Sequence, residues 1–66
     1  MTNAEAKDAL IRRTPVIFKN IEYSYISAII YRYDKDDNLH ISVELTDKNE
    51  RSVTFAQLKD VIKSHD

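Results

Sequence analysis

The sequence contains no glycine, where average usage would place about four or five in a chain of 66 residues. Loops that cradle phosphate and dinucleotide fingerprints need glycine wherever backbone approaches the ligand, so both are excluded. Turns that require positive φ must use Asn and Asp instead. Asn20, Asn38 and Asn49 each stand between apolar runs, and at least two of the three are expected in the left-handed region. Cysteine is also absent, which removes disulfides, zinc knuckles, redox motifs and thiol nucleophiles together. A secreted domain of this size would normally be dense in disulfides, so a cytoplasmic location is expected. No stretch approaches the roughly 18 apolar residues of a membrane span, and residues 1–13 carry no apolar run of a leader type. A soluble chain with no membrane partner follows.

Sixty-six residues make one domain, 1–66, with a thin core. The net charge of −1 conceals a mild asymmetry: five basic and three acidic residues in 1–33, five and eight in 34–66. A nucleic-acid footprint normally shows as a clearly basic domain.

The opening Thr2-Asn3-Ala4-Glu5 fits a capping box, a hydroxyl at the cap and a carboxylate three residues on. A helix over about 3–12 follows, with Ala6, Ala9 and Leu10 on one face and Asp8 placed to pair with Arg12. Pro15 disfavours helical geometry at Thr14 and ends it. Strands are expected over about 15–18, 21–33, 39–46 and 52–56. Lys19-Asn20 forms a tight turn between the first two. The long segment Ile21–Tyr33 loses strict alternation near Tyr25-Ile26, the mark of a bulge or strong bend. Leu39, Ile41, Val43 and Leu45 alternate with His40, Ser42, Glu44 and Thr46, a half-buried strand whose odd-numbered face looks inward. In the last strand Val53 and Phe55 are expected inward and Thr54 outward. The segment 57–63 fits two readings: a helical face of Phe55, Leu58 and Ile62 opened by Thr54-x-x-Gln57, or a one-turn 3₁₀ helix at 57–60 followed by a short strand at 61–63.

Chemistry-bearing patterns are few. Asp34-x-Asp36-x-Asn38 begins like a calcium loop, but Leu39 stands where its glycine belongs and Leu45 where its bidentate glutamate belongs. His40 and His65 have no acidic or cysteine ligand at metal spacing, and no Ser–His–acid set can be assembled around one strand histidine. Arg12 and Arg13 complement the helix dipole, or with Lys19 grip an anion. Tyr23, Tyr25, Tyr31 and Tyr33 share parity along one segment if no bulge intervenes, with Arg32 on the opposite face. Such a cluster suits base stacking or a protein anchor, or it closes the core.

The succession strand, tight turn, long bent strand, hairpin, strand, hairpin, strand, one-turn helix, short strand resembles the SH3-like small barrel. Pro15 to Lys63 can be laid onto that pattern, and Ser52-Val53-Thr54-Phe55-Ala56-Gln57-Leu58-Lys59-Asp60-Val61 looks like its closing part. Thr14-Pro15-Val16-Ile17-Phe18, Tyr25-Ile26-Ser27-Ala28-Ile29-Ile30-Tyr31-Arg32 and Glu44-Leu45-Thr46-Asp47-Lys48-Asn49 also resemble small proteins of phages and mobile elements in Gram-positive bacteria. The absence of tryptophan departs from peptide-binding SH3 domains.

The expected fold is therefore mainly-β α+β: an SH3-like small barrel, or a partly open antiparallel sheet of four to five strands, with one short N-terminal helix laid across an opening. The expected function is a non-enzymatic binding module of phage or mobile-element type, without cofactor or metal. It would contact a host or defence protein through Tyr23, Tyr25, Tyr31, Tyr33, Arg32 and Arg13. Two other readings are a small barrel that binds nucleic acid and a ligand-sequestering or structural homo-oligomer.

Overall fold

The computed structural model describes residues 1–64. Helix α1, Asn3–Arg12, starts where the capping box places it. Glu5 N donates to Thr2 Oγ1 at 3.1 Å and Thr2 N donates to Glu5 Oε1 at 2.8 Å. Arg12 pairs with Asp8 one turn back, at 2.8 Å. The helix ends as Arg13 enters the left-handed region and its N–H bonds Ala9 O. Only Ala6 and Ala9 of the helix are buried. Their small side chains let the backbone approach the strands closely.

Six strands follow: β1 Val16–Phe18, β2 Ile21–Tyr23, β3 Tyr25–Tyr33, β4 Leu39–Thr46, β5 Val53–Gln57 and β6 Val61–Lys63. A one-turn 3₁₀ helix, Leu58–Asp60, separates the last two. They form two antiparallel three-stranded sheets, ordered β2-β1-β6 and β3-β4-β5. The expected single strand over 21–33 is thus two, broken at Ser24, with each half in a different sheet. Ser24 N donates to Thr46 O across the break. The result is a mainly-β α+β domain with partly open sheets. Of the two readings for 57–63, the 3₁₀ turn plus strand is the one found, and Gln57 makes no side-chain cap. No helix of the described residues is long and apolar enough to cross a membrane.

One core joins both sheets and the helix. Val16, Tyr23 and Val61 from the first sheet meet Ile26, Val43, Leu45 and Ala56 from the second, together with Leu58, Ala6 and Ala9. The inward face of β4 is therefore the one expected, with two departures: Leu39 is 47% exposed because it lies beyond the core, and Thr46, expected on the polar face, is buried. In β5 the expectation is inverted. Thr54 pairs with Leu45 and Ala56 with Val43, so these two share the core side, while Val53 and Phe55 point away and are exposed. The β4–β5 turn fixes that register, and a strand shifted by one residue presents its opposite face.

Positive φ falls on Arg13, Lys19, Asn20, Asp37 and Glu50. Asn20 is as expected, and with Lys19 it makes a two-residue hairpin turn in which both residues take positive φ. Asn38 and Asn49 are not in that region. In each loop the neighbouring acidic residue takes it instead. Thr14-Pro15 remains outside the first strand, which begins at Val16.

Candidate interaction surface

The four tyrosines are separated by two features of one segment. The break at Ser24 sends Tyr23 into the first sheet, where it is buried. A bulge at Ser27 then shifts the β3–β4 pairing: Ile26 lies opposite Leu45, but Ala28 opposite Glu44. The extra residue reverses parity. Tyr25 thus lies on the face away from Ile26, whereas Tyr31 and Tyr33 lie on the core-side face, opposite Ile41 and Leu39.

Helix α1 runs along β3 between these two places. At one end Arg13 Cζ stands 4.7 Å from the centre of the Tyr25 ring, and the Tyr25 hydroxyl donates to Glu50 Oε1 at 3.2 Å. At the other end the Tyr31 hydroxyl donates to Asn3 Oδ1. Tyr25, half-buried, and exposed Arg13 thus make a cation–π contact of a kind worth roughly 0.5–1 kcal/mol at the surface. Tyr31 and Tyr33 keep 48% and 67% of their surface in solvent. Beside them on the same face is Leu39, the direct cross-strand neighbour of Tyr33. These three side chains form an apolar ledge at the end of the β3–β4 hairpin.

Arg32 points to the other face of the sheet. There, with Ile30, Ser42 and Phe55, it lines a shallow depression. Phe55 is 60% exposed. Sequence reasoning placed Phe55 and Val53 in the core and missed them as surface residues. The available signal was Ala56, a small residue whose neighbour on β4 is Val43 once the hairpin register is known.

The basic residues do not converge. Arg12 is held by Asp8, Arg13 by Tyr25, and Lys19 lies over the Phe18 ring at 5.3 Å. Arg32 lines the depression on the sheet's outer face, apart from the other three.

A larger groove, of about 680 Å³, opens where β5 ends. Met1, Leu39, Ile41 and Leu58 supply its apolar wall, and Arg32 and Lys59 line it with cations. No Asp or Glu is among its lining residues.

Electrostatic organisation is strongest in the loops. Asp34 Oδ1 accepts from the backbone N–H groups of Asp36 and Asn38, and Oδ2 lies 2.8 Å from His40 Nε2. The His40 hydrogen bond first, then the Asn38 and Asp36 N–H groups, hold the Asp34 carboxyl at about 2. Asp47 is lowered in the same way by the Ser52 hydroxyl and the Arg51 N–H. Glu22 is lowered by Lys48 and then by Ser64, which donates to it. In the loop that opens like a calcium site, Asp34 is thus spent on its own backbone and on His40. Among the described residues no group of three or more His, Asp or Glu is placed to hold a metal. His65 lies outside the described residues.

Comparison of the chain with protein-family models, with curated proteins and with solved structures finds no match.

Proposed function

We propose that this protein is a non-enzymatic binding module that acts by protein–protein contact in the cytosol, as an accessory protein of the phage or mobile-element type its sequence resembles. The observation that carries this reading is the ledge of Tyr31, Tyr33 and Leu39. Three large apolar side chains lie adjacent on one face and stay about half exposed, and contiguous apolar surface of this kind marks interaction sites. Tyrosine is among the residue types that dominate interface energetics, where truncation typically costs about 2 kcal/mol or more. A nucleic-acid partner would favour basic side chains gathered on one face, and Arg12, Arg13, Lys19 and Arg32 occupy four separate settings.

The test is a photo-crosslinking residue at position 33, with a control at exposed Lys7, used in bacterial lysate. The captured protein is identified and the binary complex rebuilt from purified components. Tyr33→Ser with Leu39→Ser should leave the melting temperature nearly unchanged and weaken that complex at least tenfold. An unchanged complex sinks the reading, as does capture of oligonucleotide alone with affinity falling steeply in salt.

A further inference from the structure

The groove beside the ledge has a backbone component that narrows what can fill it. Strand β4 pairs with β3 along its whole length, from Leu39 opposite Tyr33 to Thr46 opposite Tyr25. With β5 it pairs only from Ser42, opposite Gln57, to Thr46. Residues Leu39–Ile41 therefore have a strand on one side and none on the other. After Gln57 the chain turns away into the 3₁₀ helix Leu58–Asp60, and the groove occupies the space it vacates. The free edge is three residues, about 10 Å at ~3.3 Å per residue. A short unpaired edge can accept an added strand, whose main chain supplies affinity while alternate side chains supply specificity.

The two sides of that edge differ chemically. Ile41 and Leu39 face the core side, and with Met1 and Leu58 they present apolar surface. His40 and Ser42 face the other way, toward Arg32. Lys59 stands on the groove wall. An added strand would place successive side chains alternately on these two sides. Its apolar residues would meet Leu39, Ile41 and Leu58, and the residues between them would meet Arg32. In a chain of net charge −1, the groove is lined by Arg32 and Lys59, and the carboxylate beside it, Asp34, is already paired with His40, so the lining cations complement an anionic partner.

We infer that this groove binds an extended peptide segment with alternating apolar and acidic residues, added as a strand to the free edge of β4 at Leu39–Ile41. The inference rests on the protein-binding reading above and names the partner's chemistry at a neighbouring surface.

The test uses the intact chain, ¹⁵N-labelled, titrated with the capped hexapeptide Glu-Val-Glu-Val-Glu-Val. Its Lys-Val counterpart, a version N-methylated at alternate residues and an eight-nucleotide oligothymidylate serve as comparison probes. The expected result is a saturable shift of the Leu39–Ile41 and Gln57–Lys59 amides with the acidic peptide. Binding of the basic peptide should be at least tenfold weaker, and N-methylation should abolish binding by removing the main-chain donors. Arg32→Glu with Lys59→Glu, both exposed positions, should fold normally and reverse the charge preference. Shifts located elsewhere, no binding at millimolar peptide, equal binding of both charge types, or preferential binding of the oligonucleotide would each overturn the inference. So would self-association through the same amides, seen as a doubled mass in light scattering without peptide. Leu39 belongs to both surfaces, so Tyr33→Ser alone, outside the groove lining, is the variant that separates ledge from groove. If the rebuilt complex is weakened by Tyr33→Ser alone but is indifferent to the Arg32/Lys59 pair, and the peptide does not bind, the groove inference fails while the binding-module reading stands.

Discussion

Asp34 and Asp47 each open a hairpin loop in the same way. Asp37 N donates to Asp34 O and Glu50 N donates to Asp47 O, closing a four-residue turn over 34–37 and another over 47–50. The residue that ends each turn, Asp37 or Glu50, takes positive φ. The opening aspartate's side chain then accepts from the N–H four residues on, that of Asn38 or Arg51. This is why Asn38 and Asn49 were the wrong choices: the left-handed position is set by distance from the aspartate, and asparagine's tolerance of that region does not outweigh hydrogen-bond register. Asp37→Gly should raise stability by about 0.5–1 kcal/mol, since glycine adopts positive φ without the penalty a Cβ brings. For a domain of this size that is a rise in Tm of roughly 2–8 °C. Asn38→Gly, at a residue outside the left-handed region, should give no gain, and a melt in which it outperforms Asp37→Gly would refute this assignment. The acid limb of stability tests the same loop. A carboxyl whose folded pKa lies below its unfolded value stabilises the fold above the unfolded value and ceases to do so as pH falls through the folded one. For Asp34 that window runs from about 4 down to about 2. Asp34→Asn should flatten the loss of stability across it, compared with wild type in melts at successive pH values. An unchanged acid slope would mean the hydrogen bonds from His40 and the two amides contribute nothing in solution.

At the level of elements, pattern and position came apart in β3 and β5. Helix α1 and strand β4 were legible because each has one apolar face and one polar face, and because a local device marks the helix start. Strand β5 was not, because both of its faces carry apolar side chains: Thr54 and Ala56 inward, Val53 and Phe55 outward. Apolarity alone would choose the bulkier pair for the core. The deciding quantity is the length of the 47–52 loop, in which Asp47 N bonds Ser52 O and brings Val53 opposite Thr46. The tyrosine pattern failed for a related reason: one bulged residue at Ser27 and one break at Ser24 scatter four residues of equal parity over two sheets. Substitution resolves the register directly. Ala56→Asp should unfold the domain, since an unpaired charge in the core costs several kcal/mol against a total stability of roughly 3–10 kcal/mol. Phe55→Asp should leave a cooperative melt within a few degrees of wild type. The same contrast holds on β4, where Val43→Asp should unfold the chain and Leu39→Asp should be tolerated. If Phe55→Asp proves the more damaging of its pair, the register of β5 is off by one residue.

For the whole molecule, the question is whether two sheets of three strands make one folding unit or two. Among the described residues their backbone hydrogen-bond networks meet only at the break between Tyr23 and Tyr25, and the first sheet's strands are just three residues long, shorter than strands that hold by themselves. What joins the sheets is side-chain packing. Val16 and Val61 from the short sheet are fully buried against Ile26, Val43 and Leu45 of the long one, with Ala6 and Ala9 closing the cluster from the helix. Neither sheet has a core without the other. Unfolding should therefore be a single transition, and the slowest-exchanging amides of β1 and of β4 should open with the same free energy in native-state hydrogen exchange. Ala6→Leu supplies the perturbation. Three extra carbons at a site with no exposed surface should cost about 1–3 kcal/mol through overpacking. Because that site touches the shared cluster, protection should fall by the same amount in both sheets. Loss confined to β3 and β4, with β1 and β6 unaffected or already exchanging by a lower-energy opening, would show the short sheet to be a separate, weaker unit docked on the hairpin.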